Sequence, residues 1–96
     1  MKVTVEYLGY IKQSLNVQQS EVIMLLDNAT VHDLLVSLAE KHGETFQKAV
    51  YNPKDADMQP HHILAVNGAI LNEQDNLNKR LHDGDRIAVM PVVTGG

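Results

Sequence analysis

The sequence predicts an α+β roll, a mixed sheet of four to five strands with one main helix packed on one face. Three observations point there. Apolar residues alternate at both ends of the chain, a single stripe of helical period runs through its first half, and Asn67-Gly68 divides two apolar runs. Neither a one-sided sheet nor a one-sided helix is stable in water alone, so each must cover the other.

Lys2 to Tyr10 places Val3, Val5 and Tyr7 on one side and Lys2, Thr4 and Glu6 on the other, the period of a half-buried strand. Glu21 to Leu26 reads as a second strand, close enough to pair with the first as an antiparallel hairpin. The period then changes. Val31, Leu34, Leu35 and Leu38 follow the i, i+3, i+4, i+7 rule of a helix face. Thr30 is placed to cap that helix, with Asp33 completing a capping box, and Gly43 is placed to end it. Phe46, Ala49, Val50 and Tyr51 fit either a short second helix or an extended arm, and "NPKDADMQP" reads as a loop. "ILAVNGAIL" predicts a hairpin with a type I′ turn at Asn67-Gly68. Leu77 and Leu81 fit one helical turn, "HDGD" a tight turn, and "RIAVM" the last strand, with Pro91 expected to end regular pairing. The first and last strands are both strongly apolar and could pair in parallel at the centre.

Composition narrows the function. A net charge of −4 argues against a nucleic-acid binder, which usually carries a basic stripe. The absence of cysteine excludes disulfides, iron–sulfur clusters, thiolate zinc sites and thiol catalysis by this chain. No apolar run approaches a membrane span, and "MKVTVEYLGY" alternates rather than forming a signal peptide's apolar block. A cytoplasmic location is the expectation. The five histidines show no ligand spacing, so no metal site is predicted. Asp83 and Asp85 flank Gly84 and read as turn residues rather than a carboxylate pair. Lys41 and Lys48 read as solvated.

The end of the chain carries the chemistry. Gly95-Gly96 follow "PVVT", and a free α-carboxyl, with a pKa near ~3.5, is ionised at neutral pH. Two residues without side chains can thread a narrow channel and leave the acyl carbon unhindered. From Met90 to Gly96 the reach is at most about 20 Å at ~3.3 Å per residue. Pro91 stiffens the base of this tail, while Val92 and Val93 favour extended backbone. The expected organisation is a body over residues 1–91 and a flexible tail over 92–96. On the last strand Ala88 and Met90 alternate away from the inward Ile87 and Val89, so the sheet face opposite the helix is the expected docking surface, with Arg86 at its rim. Met90 filling a core gap is the alternative.

Leu81, Gly84-Asp85, the apolar strand Ile87–Met90, Pro91 and the terminal Gly95-Gly96 together resemble the ubiquitin-like β-grasp sulfur carriers. These include the small subunit of molybdopterin synthase (MoaD) and the thiamin sulfur carrier (ThiS), and the length favours the MoaD-like branch. Thr30-Val31 before the helix and "VNG" at Val66–Gly68 are weaker matches. The resemblance implies a non-catalytic carrier. Gly96 would be adenylated by a ubiquitin-activating-enzyme-like adenylyltransferase (MoeB/ThiF-like) that uses ATP and Mg, then converted to a thiocarboxylate with sulfur from a donor protein. Thr94, Val93, Val92 and Gly95 would thread the partner, with the molybdopterin synthase large subunit as the final one. It equally implies two alternatives: a protein modifier joined through Gly96 to lysines, or a sulfur carrier for thiamin or another pathway. A non-covalent interaction module with incidental glycines is a third reading.

Overall fold

The computed structural model describes residues 1–9, 20–52, 57–58, 62–71 and 76–91. The elements run β1 (Lys2–Tyr7), β2 (Ser20–Met24), α1 (Val31–His42), α2 (Glu44–Ala49), β3 (Tyr51–Asn52), β4 (Asp57–Met58), β5 (His62–Val66), β6 (Ala69–Ile70), a 3-10 turn (Asn76–Asn78) and β7 (Arg86–Pro91). Five strands form one sheet in the order β2-β1-β7-β5-β6. β1 is antiparallel to β2 and parallel to β7, and β5 is antiparallel to both β7 and β6. The expected roll, its hairpin and its central parallel pair are therefore all present. Among the described residues no helix is long and apolar enough to cross a membrane.

The alternation in β1 buries Val3, Val5 and Tyr7 against α1, which turns Val31, Leu34, Leu35 and Leu38 toward them. β7 adds Ile87 and Val89, and β5 adds Leu64 and Val66. A leucine fully removed from water contributes about 1.5–3 kcal/mol, so these few side chains supply most of what holds the two layers together. α1 begins with both halves of the capping box. The Thr30 Oγ1 accepts from the Asp33 N–H at 3.3 Å, and the Asp33 carboxylate accepts from the Thr30 N–H at 2.9 Å. The helix ends at Gly43, whose φ of 72° is open to glycine and strained for other residues.

The ambiguous stretch after Gly43 resolves as a helix. α2 starts at once because Phe46 and Val50 are both fully buried and a helix places them four apart on one face. Tyr51 then opens a two-residue ribbon, Tyr51–Asn52 with Asp57–Met58, of which Asn52, Asp57 and Met58 lie in the stretch expected to be a loop. Leu77 and Leu81 do not share a turn. The 3-10 turn spans Asn76–Asn78, and the buried Leu81 lies beyond it.

Lys41 is not simply solvated. Glu21 lies at the inner edge of β2, where the Tyr7 hydroxyl (2.8 Å), the Lys41 ammonium (2.7 Å) and His42 Nε2 (2.8 Å) converge on its carboxylate. Burial pushes the Glu21 carboxyl up, but the hydrogen bonds from Lys41, Tyr7 and His42 outweigh it and hold the group below its ordinary value. Burial, then the bond to Glu21, raises the Tyr7 phenol far beyond physiological pH, so it remains a donor.

The turn before β7 is pinned on both sides. Asp85 is buried, and its carboxylate accepts from the Asn67 side-chain amide at 2.9 Å and the His82 N–H at 2.8 Å. Asn67 takes a positive φ of 51° in the β5–β6 turn, as its I′ geometry requires, and its side-chain oxygen accepts from the Arg86 N–H at 3.0 Å. On the other side the Asp83 carboxylate accepts from the Lys2 N–H at 2.7 Å, and the Gly84 N–H donates to the Lys2 carbonyl, also at 2.7 Å. Both aspartates are thus turn residues, and between them they fix where β7 starts.

Thr30→Ala removes the cap and is expected to cost about 1 kcal/mol, read as a lower denaturant midpoint with an unchanged slope. Asp85→Asn is expected to cost about 1–2 kcal/mol at neutral pH. Burial raises the Asp85 carboxyl, but the Asn67 and His82 hydrogen bonds and the nearby positive charges leave it below the ordinary aspartate value. Its contribution is therefore complete above that ordinary value and is lost as pH falls through the lower folded one. Denaturant midpoints measured from neutral pH down to about pH 3 should fall less steeply in Asp85→Asn than in the parent chain.

Candidate functional site: the outer face and end of the central strand

β7 is third of the five strands, and the chain's last described residue, Pro91, closes it. The strand was expected to stop pairing at Met90. It reaches Pro91, which stands opposite His62 of β5. The hydrogen bonds explain why proline is admitted. The Asn67 N–H donates to the Arg86 carbonyl and the Leu8 N–H to the Val89 carbonyl, so even-numbered residues of β7 face β5 and odd-numbered ones face β1. The N–H that Pro91 lacks would point toward β1. That ladder has reached Leu8, with Gly9 turning away at a φ of 65°. Proline thus ends the parallel ladder and leaves the antiparallel one undisturbed.

Ala88 and Met90 lie on the face away from α1 and are half-buried, while Ile87 and Val89 between them are fully buried. The outward placement expected for Ala88 and Met90 therefore holds, and Met90 is not a filler of the core beneath α1. Register puts Ala65 opposite Ala88, and Ile70 of β6 opposite Ala65, so these residues share one face. Ala65 is buried there, and Ile70 is 64% exposed. Arg86 stands at the rim as expected, but it is not a free charge: its guanidinium is paired with the Glu6 carboxylate on β1, Nε to Oε1 at 2.8 Å. The site is thus a small apolar surface on β7, β5 and β6, bounded on the β1 side by an ion pair. Among the described residues no three histidine, aspartate or glutamate side chains gather as a metal site.

Ile70 and Glu6 were missed in the sequence, although a signal for each existed. The I′ turn at Asn67-Gly68 fixes the β5–β6 register and hence the face of Ile70. The outward side of β1 placed Glu6 among polar residues whose partner on β7 depends on a parallel register that the sequence does not specify. Val92, Val93, Thr94, Gly95 and Gly96 lie outside the described residues. The site's geometry therefore stops at the strand that precedes them.

The profile of the ThiS family matches residues 5–96. A Haloferax volcanii protein named small archaeal modifier protein 3 is 33% identical over 70 residues, 73% of each chain. An Archaeoglobus fulgidus protein provisionally named a sulfur carrier is 24% identical over 81 residues, covering 84% of this chain and 90% of that one. Among solved structures, a chain of the complex of subunits 1 and 2 of the Helicobacter pylori molybdopterin-converting factor superposes with a TM-score of 0.66 at 27% identity over 100% of both chains. Binding to a partner subunit thus occurs in proteins of this kind. With the β-grasp sheet and its single main helix, these likenesses establish that the chain belongs to the ThiS family of ubiquitin-like sulfur carriers and small archaeal modifiers.

Proposed function

We propose that this chain carries sulfur on its last residue, as the small subunit of molybdopterin synthase in molybdenum or tungsten cofactor biosynthesis, in the cytoplasm. Residues 1–91 form the body and 92–96 the working tail. The observation that carries the reading is the position of Arg86–Pro91 in the middle of the sheet, immediately ahead of a sequence that finishes in Gly95-Gly96. A central strand is held on both sides, so it gives the tail a rigid base.

The reaction needs activation, because an ionised carboxylate resists nucleophiles. The Gly96 carboxylate attacks the α-phosphorus of ATP on an adenylyltransferase of the MoeB/ThiF type, with Mg, and pyrophosphate leaves. Sulfide-level sulfur from a donor protein then attacks the acyl carbon, AMP leaves, and a thiocarboxylate remains. The chain has no cysteine, so the sulfur comes from outside it. Glycine at both final positions keeps the acyl carbon accessible in each step. Ala88 and Met90, with Ile70 beside them, supply an apolar contact for the large subunit, and the Arg86–Glu6 pair marks its rim.

The similarity to a protein named small archaeal modifier protein 3 favours a second reading, in which the activated Gly96 is joined to lysines of target proteins. Both readings share the adenylation step and diverge after it. A carrier for thiamin or another sulfur pathway would differ only in the acceptor.

The test uses the full chain with ATP, Mg, an adenylyltransferase of this type and a sulfur donor. Intact mass should rise by the difference between one sulfur and one oxygen atom, and deleting Gly96 should abolish the change. Gly96→Ala should shift stability by less than about 0.5 kcal/mol and slow the conversion. Sulfur passing from the loaded chain to a pterin on the large subunit supports the synthase reading, whereas ladders of lysine adducts in lysate support the modifier. With the adenylyltransferase active on another carrier, an unchanged mass overturns the carrier reading, and no pyrophosphate released from ATP overturns both.

A further inference from the structure

β2 is an edge strand, and its free side is apolar. The Met1 ammonium donates to the Leu25 carbonyl at 2.7 Å and the Leu25 N–H donates to the Met1 carbonyl at 2.9 Å, which fixes the alternation of the β1–β2 ladder. With Val3 opposite Ile23 and Val5 opposite Glu21, the odd residues of β2 spend their backbone groups on β1. The N–H and C=O of Ser20, Val22 and Met24 therefore point away from the sheet. The same even-numbered residues carry exposed side chains: Val22 is 58% exposed, Met24 65%, and Leu26 just past the strand 86%. Sheet edges are ordinarily blunted by proline, lysine, a bulge or a covering segment. "SEVIM" contains no proline or lysine, and among the described residues no strand lies beyond it.

The spacing along this edge says what can occupy it. Lys41 meets Glu21, while Asp33 and Ser37 line one cleft with Met24 and Leu26, so α1 runs antiparallel to β2. On the flank of α1 beside the edge Lys41 is already paired with Glu21 and Asp33 with the Thr30 cap, so the register of β2 decides the occupant. The apolar positions Val22 and Met24 lie symmetrically about Ile23, and a two-fold axis there matches the edge with its own reverse. The same axis puts Val22 opposite Met24 of the second copy, so two outward-facing backbone pairs meet in antiparallel register and both exposed apolar residues gain an apolar neighbour. Glu21 falls opposite Leu25 rather than a second acid. An axis through Val22 would leave Met24 beside Ser20.

We propose that β2 is a self-association edge, through which two copies join antiparallel about Ile23 into one continuous ten-stranded sheet. The edge is two strands from β7, so each copy keeps Ala88 and Met90 uncovered. The interface is small, and a dissociation constant of about 10–100 µM is expected.

Sedimentation of the full chain over a range of concentrations tests this, together with amide hydrogen exchange. The parent chain should dimerise reversibly, and the Val22 and Met24 amides should slow about 10-fold or more as the dimer fills. Val22→Pro deletes an N–H that the monomer does not use, and Met24→Lys charges an exposed position. Each should weaken association about 10-fold or more without lowering the denaturant midpoint of the monomer by more than about 1 kcal/mol. Should Val22→Pro unfold, Met24→Lys carries the test alone. A chain still monomeric at about 1 mM overturns the proposal. So does a dimer indifferent to Met24→Lys, protection mapping to β6 or β7, or an edge filled only by an extended segment of another protein.

Discussion

The parallel pairing of β1 with β7 is the constraint on which the rest of the architecture depends. It joins residues about 80 positions apart in sequence, Thr4 with Arg86 and Tyr7 with Val89. A parallel pair cannot be closed by a tight turn, so everything between the two strands must serve as the crossover. α1 is that crossover's packing layer, and its leucines lie on the strands it connects. Each remaining strand of this sheet then has one available position: β2 on the free side of β1, β5 on the free side of β7, and β6 beyond β5. The Asp83–Asp85 turn matters because it is where this long closure is locked, with contacts to Lys2 on one side and Asn67 on the other.

Much of this was legible because local signals and global needs agree. The alternation in Lys2–Tyr7 and Arg86–Met90 named the two strands that are buried on one face and central in the sheet. The stripe from Val31 to Leu38 and the Thr30–Asp33 box named the helix. Asn67-Gly68 named its turn because few other dipeptides tolerate two positive φ angles. What escaped the sequence was decided by tertiary partners. Whether the segment from Glu44 to Ala49 coils or extends depends on the pocket that receives Phe46 and Val50. Proline at position 91 looks like a stop until it is clear which neighbour its missing N–H would have served. Lys41 looks solvated until β2 brings Glu21 beneath it.

The candidate site was legible in its parts but not in its company. Period two alone assigned Ala88 and Met90 to the outward face. The pairing of Arg86 with Glu6 needed the parallel register, and the contribution of Ile70 needed the β5–β6 hairpin to be laid beside β7. The site therefore depends on long-range closure more than the sequence suggests. Its apolar surface belongs to three strands, and its charged margin to a fourth.

Because β7 comes last among the described strands and lies at the heart of the sheet, a product cut short before Arg86 lacks the strand that completes the core. β1 and α1 emerge early but lack the strand that lies between β1 and β5 until Arg86–Pro91 has been made. Such distant closure is slow compared with local folding, and it holds back the compact state until β7 is free to pair. Integrity of the polypeptide as far as β7 is thus a condition of closing the fold, a form of proofreading that requires no additional component.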